Sequence, residues 1–163
     1  MEISKIAYPF NKEHQKYLLD TLSHFEEAGN HIEIARGAIN ELTDISDTQI
    51  MKLPVWRKEQ EDSIWAYRVW HFNPYDPGVP FKGGIEAANY ITKDLIAGKA
   101  VLMTAKSAAV GRKIERNKYE RIRYGGAKGG VAVDLNILPD SKQEEIMIMY
   151  FRRLGARLGP YID

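Results

Sequence analysis

Apolar positions along the chain change period several times, and each change marks an element. Over 11–28, Leu18, Leu22 and Phe25 recur at helical spacing with Leu19 beside them, which predicts an amphipathic helix. Gly29-Asn30 is expected to break it, because Asn tolerates the left-handed conformation of a helix end. Ile32, Ala35 and Ile39 form the stripe of a second helix, and Ser46-Asp47-Thr48 is loop chemistry. The period then shortens to two. Residues 50–57 and 63–72 read as strands joined by the charged turn Lys58-Glu59-Gln60-Glu61-Asp62, with alternation at Trp65, Tyr67 and Val69. Pro54 cannot donate to a ladder, so it places the first strand at an edge or a bulge.

An irregular loop, 73–80, precedes the next helical pattern. Over 92–107, Leu95, Leu102 and Met103 are expected to face inward. Gly98 inside that helix costs about 1 kcal/mol against alanine, so contact with another element must support it. Ile114, Tyr119 and Ile122 then alternate around Arg116-Asn117-Lys118, which suits an exposed β-hairpin over 111–123. Val131-Ala132-Val133 is a short, nearly continuous apolar strand of the kind covered on both faces. Ser141 and Glu144 have the spacing of a capping box opening a last helix. Its buried stripe is Ile146, Met149, Tyr150 and Leu154, and Gly159-Pro160 is expected to end it. Strands alternating with helices predict an α/β fold, a three-layer α/β/α arrangement around a mixed sheet. The 163 residues are enough for one domain with a sizeable core.

Composition narrows the function classes. A net charge of +1 argues against a dedicated nucleic-acid or membrane-surface protein, so neither partner is expected. The absence of cysteine excludes disulfides and thiolate metal sites and suits a reducing, cytoplasmic setting. Met1-Glu2-Ile3-Ser4-Lys5 does not open a signal peptide, and no apolar run approaches the roughly 20 residues of a membrane span. His24 and His31, with Glu27 and Glu33 nearby, share no helical face once Gly29 intervenes, so no metal is expected. Trp56, Trp65, Tyr67, Trp70 and Phe72 suit core and subunit packing, because no basic residues interleave with them as in a base-stacking platform.

Candidate chemistry concentrates in Tyr124-Gly125-Gly126-Ala127-Lys128-Gly129-Gly130-Val131, where one lysine sits between two glycine pairs. The spacing fits neither a dinucleotide fingerprint nor a P-loop. Alone, the stretch fits a turn with a solvated lysine as well as a site. Phe81-Lys82-Gly83-Gly84-Ile85 repeats the lysine–diglycine theme, and Leu102-Met103-Thr104-Ala105-Lys106 puts a lysine near a helix C-terminus, where the dipole also favours a cation. Tyr67-Arg68-Val69-Trp70-His71 precedes them and Gly159-Pro160-Tyr161-Ile162-Asp163 follows. Taken in order, this set resembles the N-terminal domain of the glutamate/leucine/phenylalanine/valine dehydrogenase family, most closely the glutamate dehydrogenases, from about Leu53 to Asp163.

The resemblance implies roles. Lys82 would hold the side-chain carboxylate of glutamate, Lys106 the α-carboxylate, and Lys128 would act on the water and the carbonyl oxygen. Gly83, Gly84 and Gly126 would let backbone approach the substrate. The chemistry needs such a set, since each carboxylate requires a cation once water is excluded. A lysine acts as a base only where desolvation or neighbouring ammonium groups favour its neutral form. Glutamate and 2-oxoglutarate as ligands, a homo-oligomer, and NAD or NADP in the full-length enzyme are implied in the same way.

Two departures stand out. Glu86-Ala87-Ala88 follows the first glycine pair where the family usually carries an arginine and an aromatic residue. The stretch 111–123, dense in Arg112, Lys113, Arg116, Lys118, Arg121 and Arg123, has no counterpart in the family pattern. The family's catalytic aspartate and Rossmann domain would fall beyond Asp163, so 1–163 alone is expected to bind no cofactor and to be inactive, which leaves NAD versus NADP unread. Two other classes stay open: a non-catalytic oligomerisation module, and an anion-binding module using 111–123.

Overall fold

The computed structural model describes residues 12–31, 45–57, 60–71, 80–109, 111–115, 118–121 and 124–158. In chain order its elements are α1 (Lys12–His31), β1 (Ile45–Arg57), β2 (Gln60–His71), β3 (Phe81–Lys82), β4 (Ile85–Ala87), α2 (Lys93–Ala109), β5 (Gly111–Glu115), β6 (Lys118–Arg121), β7 (Gly125–Val131) and α3 (Asp140–Leu154). Short 3₁₀ turns, Leu135–Ile137 and Gly155–Arg157, flank α3.

β1 and β2 form a long antiparallel pair, with Ile50 opposite Tyr67 and Pro54 opposite Ser63. β2 pairs antiparallel with β7, and β7 pairs in parallel with both β3 and β4, so the sheet is mixed. β1 lies at the edge of this sheet, as Pro54 requires. On one face α2 covers β2 and β7, burying Tyr67, Val69, Ile91, Ile96 and Ala100. α1 lies over α2, and the place of a Cβ at Gly98 falls 2.8 Å from the Tyr17 ring, which supplies the contact expected for that glycine. On the other face α3 closes a second core with Leu53, Trp70, Val131, Ile146, Tyr150 and Leu154. The three-layer α/β/α arrangement is therefore present. The hairpin expected over 111–123 is present as β5 and β6, with Arg112 opposite Glu120 and Glu115 opposite Lys118.

Several local expectations are corrected. α1 continues through Gly29-Asn30 to His31, because one glycine costs only about 1 kcal/mol in a helix and does not by itself end one. β1 begins at Ile45, so Ser46-Asp47-Thr48 is strand; a register shift between Ile45 and Asp47 absorbs its turn chemistry. Gln60, Glu61 and Asp62 belong to β2 rather than to the turn. Leu102 is 44% exposed, because α2 turns its small residues, Ala97, Ala100, Thr104 and Ser107, inward instead.

α3 starts at Asp140 behind Pro139, whose carbonyl accepts from the N–H groups of Lys142 and Gln143. Ser141 therefore sits inside the first turn and forms no capping box. The helix ends at Gly155, which takes φ 54°, a conformation open to glycine at little cost. The second helix expected near Ile32–Ile39, the loop 73–79 and the Gly159-Pro160 stop lie outside the described residues.

Candidate functional site

The glycine-framed lysine is not in a turn before a strand at 131–133. It lies in the strand itself, since β7 spans Gly125–Val131 and pairs on both sides. Alternation sends Ala127, Gly129 and Val131 toward α3, and Gly126, Lys128 and Gly130 toward α2. A Cβ at Gly126 would land on the Ala100 carbonyl oxygen and the Thr104 backbone, and one at Gly130 would meet Ile96 at 2.5 Å. Bare backbone at both positions lets α2 descend onto the strand. Lys128 is the one side chain between them, 19% exposed.

Thr104 fixes the approach. Its hydroxyl accepts from the Gly126 N–H at 2.7 Å and shares a second hydrogen bond of 2.7 Å with Nδ1 of the buried His71. Across β7, β3 and β4 keep one register through the Gly83-Gly84 break: Lys82 stands opposite Gly126 and Glu86 opposite Gly130. Parallel partners share a face, so Lys82 and Glu86 stand on the α2 side with Lys128. Gly83 backs onto the Ala127 carbonyl. The Gly84 carbonyl accepts from the Gly129 N–H at 2.9 Å and from the Arg68 guanidinium at 3.3 Å.

The structure places two of the predicted lysines on the α2 side of the sheet and the third on α2 itself. Lys128 forms part of the floor. Lys82, exposed at the sheet edge, has its ammonium 6.0 Å from the centre of the Tyr124 ring. One strand repeat, about 7 Å, separates its level from that of Lys128. Lys106 is exposed in the last turn of α2.

The closest charged contacts involve residues that the motif set did not pair. Oε2 of Glu86 lies 2.5 Å from Lys99 Nζ and 3.7 Å from Lys128 Nζ. Oε1 accepts from the Tyr90 hydroxyl at 3.2 Å. Burial works against ionisation of Glu86, but the hydrogen bond and charge of Lys99, the charge of Lys128 and the Tyr90 hydroxyl outweigh it and hold the carboxyl below its usual value. Lys99 was missed, although a signal was present: it stands seven residues before Lys106, two turns or about 10 Å along one helix face.

A groove of about 500 Å³ opens on the opposite, α3 side, lined by Arg68, Phe81, Lys82, Ile85, Phe151 and Leu158. It reaches Lys82 at the sheet edge and is not lined by Lys128. No group of three His, Asp or Glu among the described residues could hold a metal ion. The described residues offer no dinucleotide cradle either. On β7 the glycine positions are filled by α2 on one side and by the Tyr150 hydroxyl on the other. No described helix is long and apolar enough to cross a membrane.

Comparison with known proteins bears on the family and the fold. The model of the Glu/Leu/Phe/Val dehydrogenase dimerisation domain matches residues 46–163. Glutamate dehydrogenase B of Halobacterium salinarum is 28% identical over 139 residues, covering 85% of this chain and 29% of its own length. The NADP(+)-dependent glutamate dehydrogenase of Pyrobaculum calidifontis is 35% identical over 98 residues, covering 60% of this chain and 20% of its own length. This chain therefore spans less than a third of either relative. Among solved structures, glutamate dehydrogenase from Peptoniphilus asaccharolyticus superposes with a TM-score of 0.77 at 22% identity, over 90% of this chain and 34% of that one. The hetero-hexameric glutamate dehydrogenase from Thermus thermophilus gives 0.72 at 24% identity, over 98% of this chain and 35% of that one. These structural likenesses establish the fold.

Proposed function

The chain belongs to the Glu/Leu/Phe/Val dehydrogenase family, and we propose that it is the substrate-binding and subunit-contact domain of an NAD(P)-dependent glutamate dehydrogenase, which oxidises glutamate to 2-oxoglutarate and ammonia. What supports this reading is that Lys82 and Lys128 stand on the α2 side of the sheet, with bare glycine backbone beside Lys128 and Lys106 exposed in the last turn of α2. Lys82 binds the side-chain carboxylate of glutamate and Lys106 its α-carboxylate. Lys128 takes a proton from the water that attacks the imine carbon and stabilises the charge developing on oxygen. A nicotinamide bound outside the described residues would supply the hydride acceptor. The described residues do not fit that group, and residues 1–163 by themselves are proposed to be inactive. The domain is further proposed to self-associate, in a cytoplasmic setting.

Glu86 favours a second reading, a non-catalytic assembly module, since it puts a carboxylate where an anionic substrate would have to bind. One experiment separates the two. In an enzyme that includes the cofactor domain, Lys82→Leu should cut kcat/KM for glutamate by roughly 10²–10⁴, the cost of leaving a desolvated carboxylate unpaired. The value for norvaline should fall much less. Equal losses on both substrates would remove Lys82 from recognition. An enzyme with no glutamate turnover would leave the assembly module.

A further inference from the structure

Glu86 has two oxygens and three neighbours, and the neighbours are unequal. Oε1 is taken by the Tyr90 hydroxyl. Oε2 faces two ammonium groups, at 2.5 Å from Lys99 and 3.7 Å from Lys128. The first is a charge-assisted hydrogen bond; the second lies beyond hydrogen-bond reach and is Coulombic only. The three side chains are 23%, 29% and 19% exposed, so water screens them only in part. They come from β4, α2 and β7, and the Glu86–Gly130 register places them together.

We propose that Glu86 is a built-in carboxylate that competes with carboxylate ligands for Lys128, and that Lys99 is the positioning residue that holds it off. The pair then sets how strongly the site takes an acidic ligand. This rests on the proposed function, because it assumes that ligand carboxylates enter beside Lys128. In the sequence Glu86 is only a departure from the family pattern. Its position gives it a role, because Lys99 neutralises it at close range and Lys128 donates no hydrogen bond to it at 3.7 Å. Removing Lys99 frees Oε2 to close the 3.7 Å gap. Removing the carboxylate leaves Lys99 nothing to hold.

The two residues should therefore be coupled in a definite direction. Glutarate, a dicarboxylate that cannot be dehydrogenated at an amine, is the probe. It is titrated into the 163-residue chain and followed by the amide NMR shifts of Gly126, Gly129 and Gly130. Glu86→Gln should tighten glutarate binding about three- to fivefold, the range of a partly screened ion pair. Lys99→Met should weaken it by a similar factor. The double variant should bind like Glu86→Gln alone.

Lys93→Met, on the same helix and exposed, should change nothing. Glu86→Asp retains the charge on a shorter arm and should tighten binding by less than Glu86→Gln, which guards against a variant that misfolds. Three results would overturn the proposal: unchanged affinity in Glu86→Gln, equal weakening by Lys99→Met with and without Glu86, or no glutarate binding by any variant. Equal weakening would make Lys99 an ordinary ligand-binding cation. Adding Lys82→Ala to Glu86→Gln separates this inference from the proposed function. If glutarate still binds unchanged there while the Glu86–Lys99 coupling holds, the coupling is supported and the role given to Lys82 fails.

Discussion

The two faces of β7 are built from one seven-residue strand and do opposite things. Toward α3 it presents Ala127, Gly129 and Val131 to Ile146, Tyr150 and Leu154, all buried in an apolar core. There the Tyr150 hydroxyl stands where a Cβ of Gly129 would be, with the Arg68 guanidinium beside it, and donates to the Tyr67 carbonyl at 3.0 Å. Toward α2 it presents Gly126, Lys128 and Gly130, with Lys82, Glu86 and Lys99 around them. On the first face a missing Cβ makes room for a packed side chain. On the second it brings a helix backbone close and leaves a half-buried charge between two bare positions. The same residue type thus serves packing on one side and access on the other, and the neighbour decides which.

That contrast predicts that α2-face changes act on chemistry and α3-face changes on stability. The largest effect is expected at Lys128. In an enzyme carrying the cofactor domain, Lys128→Ala should lower kcat by about 10²–10⁴. Urea unfolding should move by less than about 1 kcal/mol, because the loose contact with Glu86 is partly screened. A near-normal kcat would erase the contrast. Its mirror image is Ile146→Ala on the other face. That change removes a fully packed side chain and should cost about 2–5 kcal/mol in urea unfolding. Glutarate binding by the molecules that remain folded should be unchanged, and a loss in step with Lys128→Ala would mean that the faces are coupled.

A smaller effect tests a buried hydrogen bond of the α3 face. Tyr150→Phe keeps the ring and deletes the donor to the Tyr67 carbonyl, so it should cost about 1–2 kcal/mol by urea unfolding. No measurable cost would show that the contact is replaced by water. The smallest effect tests the charge on the α2 face through acid stability. The Glu86 carboxyl is held below its usual value in the folded chain. Its contribution to stability is therefore fully present above the unfolded carboxyl value and is lost as pH falls through the lower folded value. The difference in urea midpoint between the parent chain and Glu86→Gln should shrink between about pH 6 and pH 3. A difference that stays constant would show that Glu86 does not gain from being ionised.

Much of the fold was legible because it depends on local period. The helix α1, the stripe of α3, the strand alternation at Trp65, Tyr67 and Val69, the edge position of Pro54 and the hairpin near 111–123 each follow from residues a few positions apart, whereas Leu19 of α1 is 58% exposed. The same is true of Lys82, Lys106 and Lys128 as candidates, since each sits beside its own glycines or at its own helix end.

What local pattern could not decide was which remote surface each residue would meet. Leu102 has the spacing of a core residue, yet it points outward because α2 turns Ile96, Ala97, Ala100, Val101 and Thr104 inward instead. The frame around Lys128 has the composition of a turn, yet it is a strand because β2 on one side and β3 and β4 on the other supply its hydrogen bonds. Glu86, Lys99 and Lys128 are charged residues on three separate elements, and nothing in their separations of 13 and 29 residues pairs them. Local pattern by itself determined most of the helices and the two hairpins and drew attention to the glycine-framed lysines, because propensity and period act within a few residues. Only the tertiary structure set Glu86 between Lys99 and Lys128, because the register of β4 on β7 and the descent of α2 onto glycine are fixed when remote segments pack together.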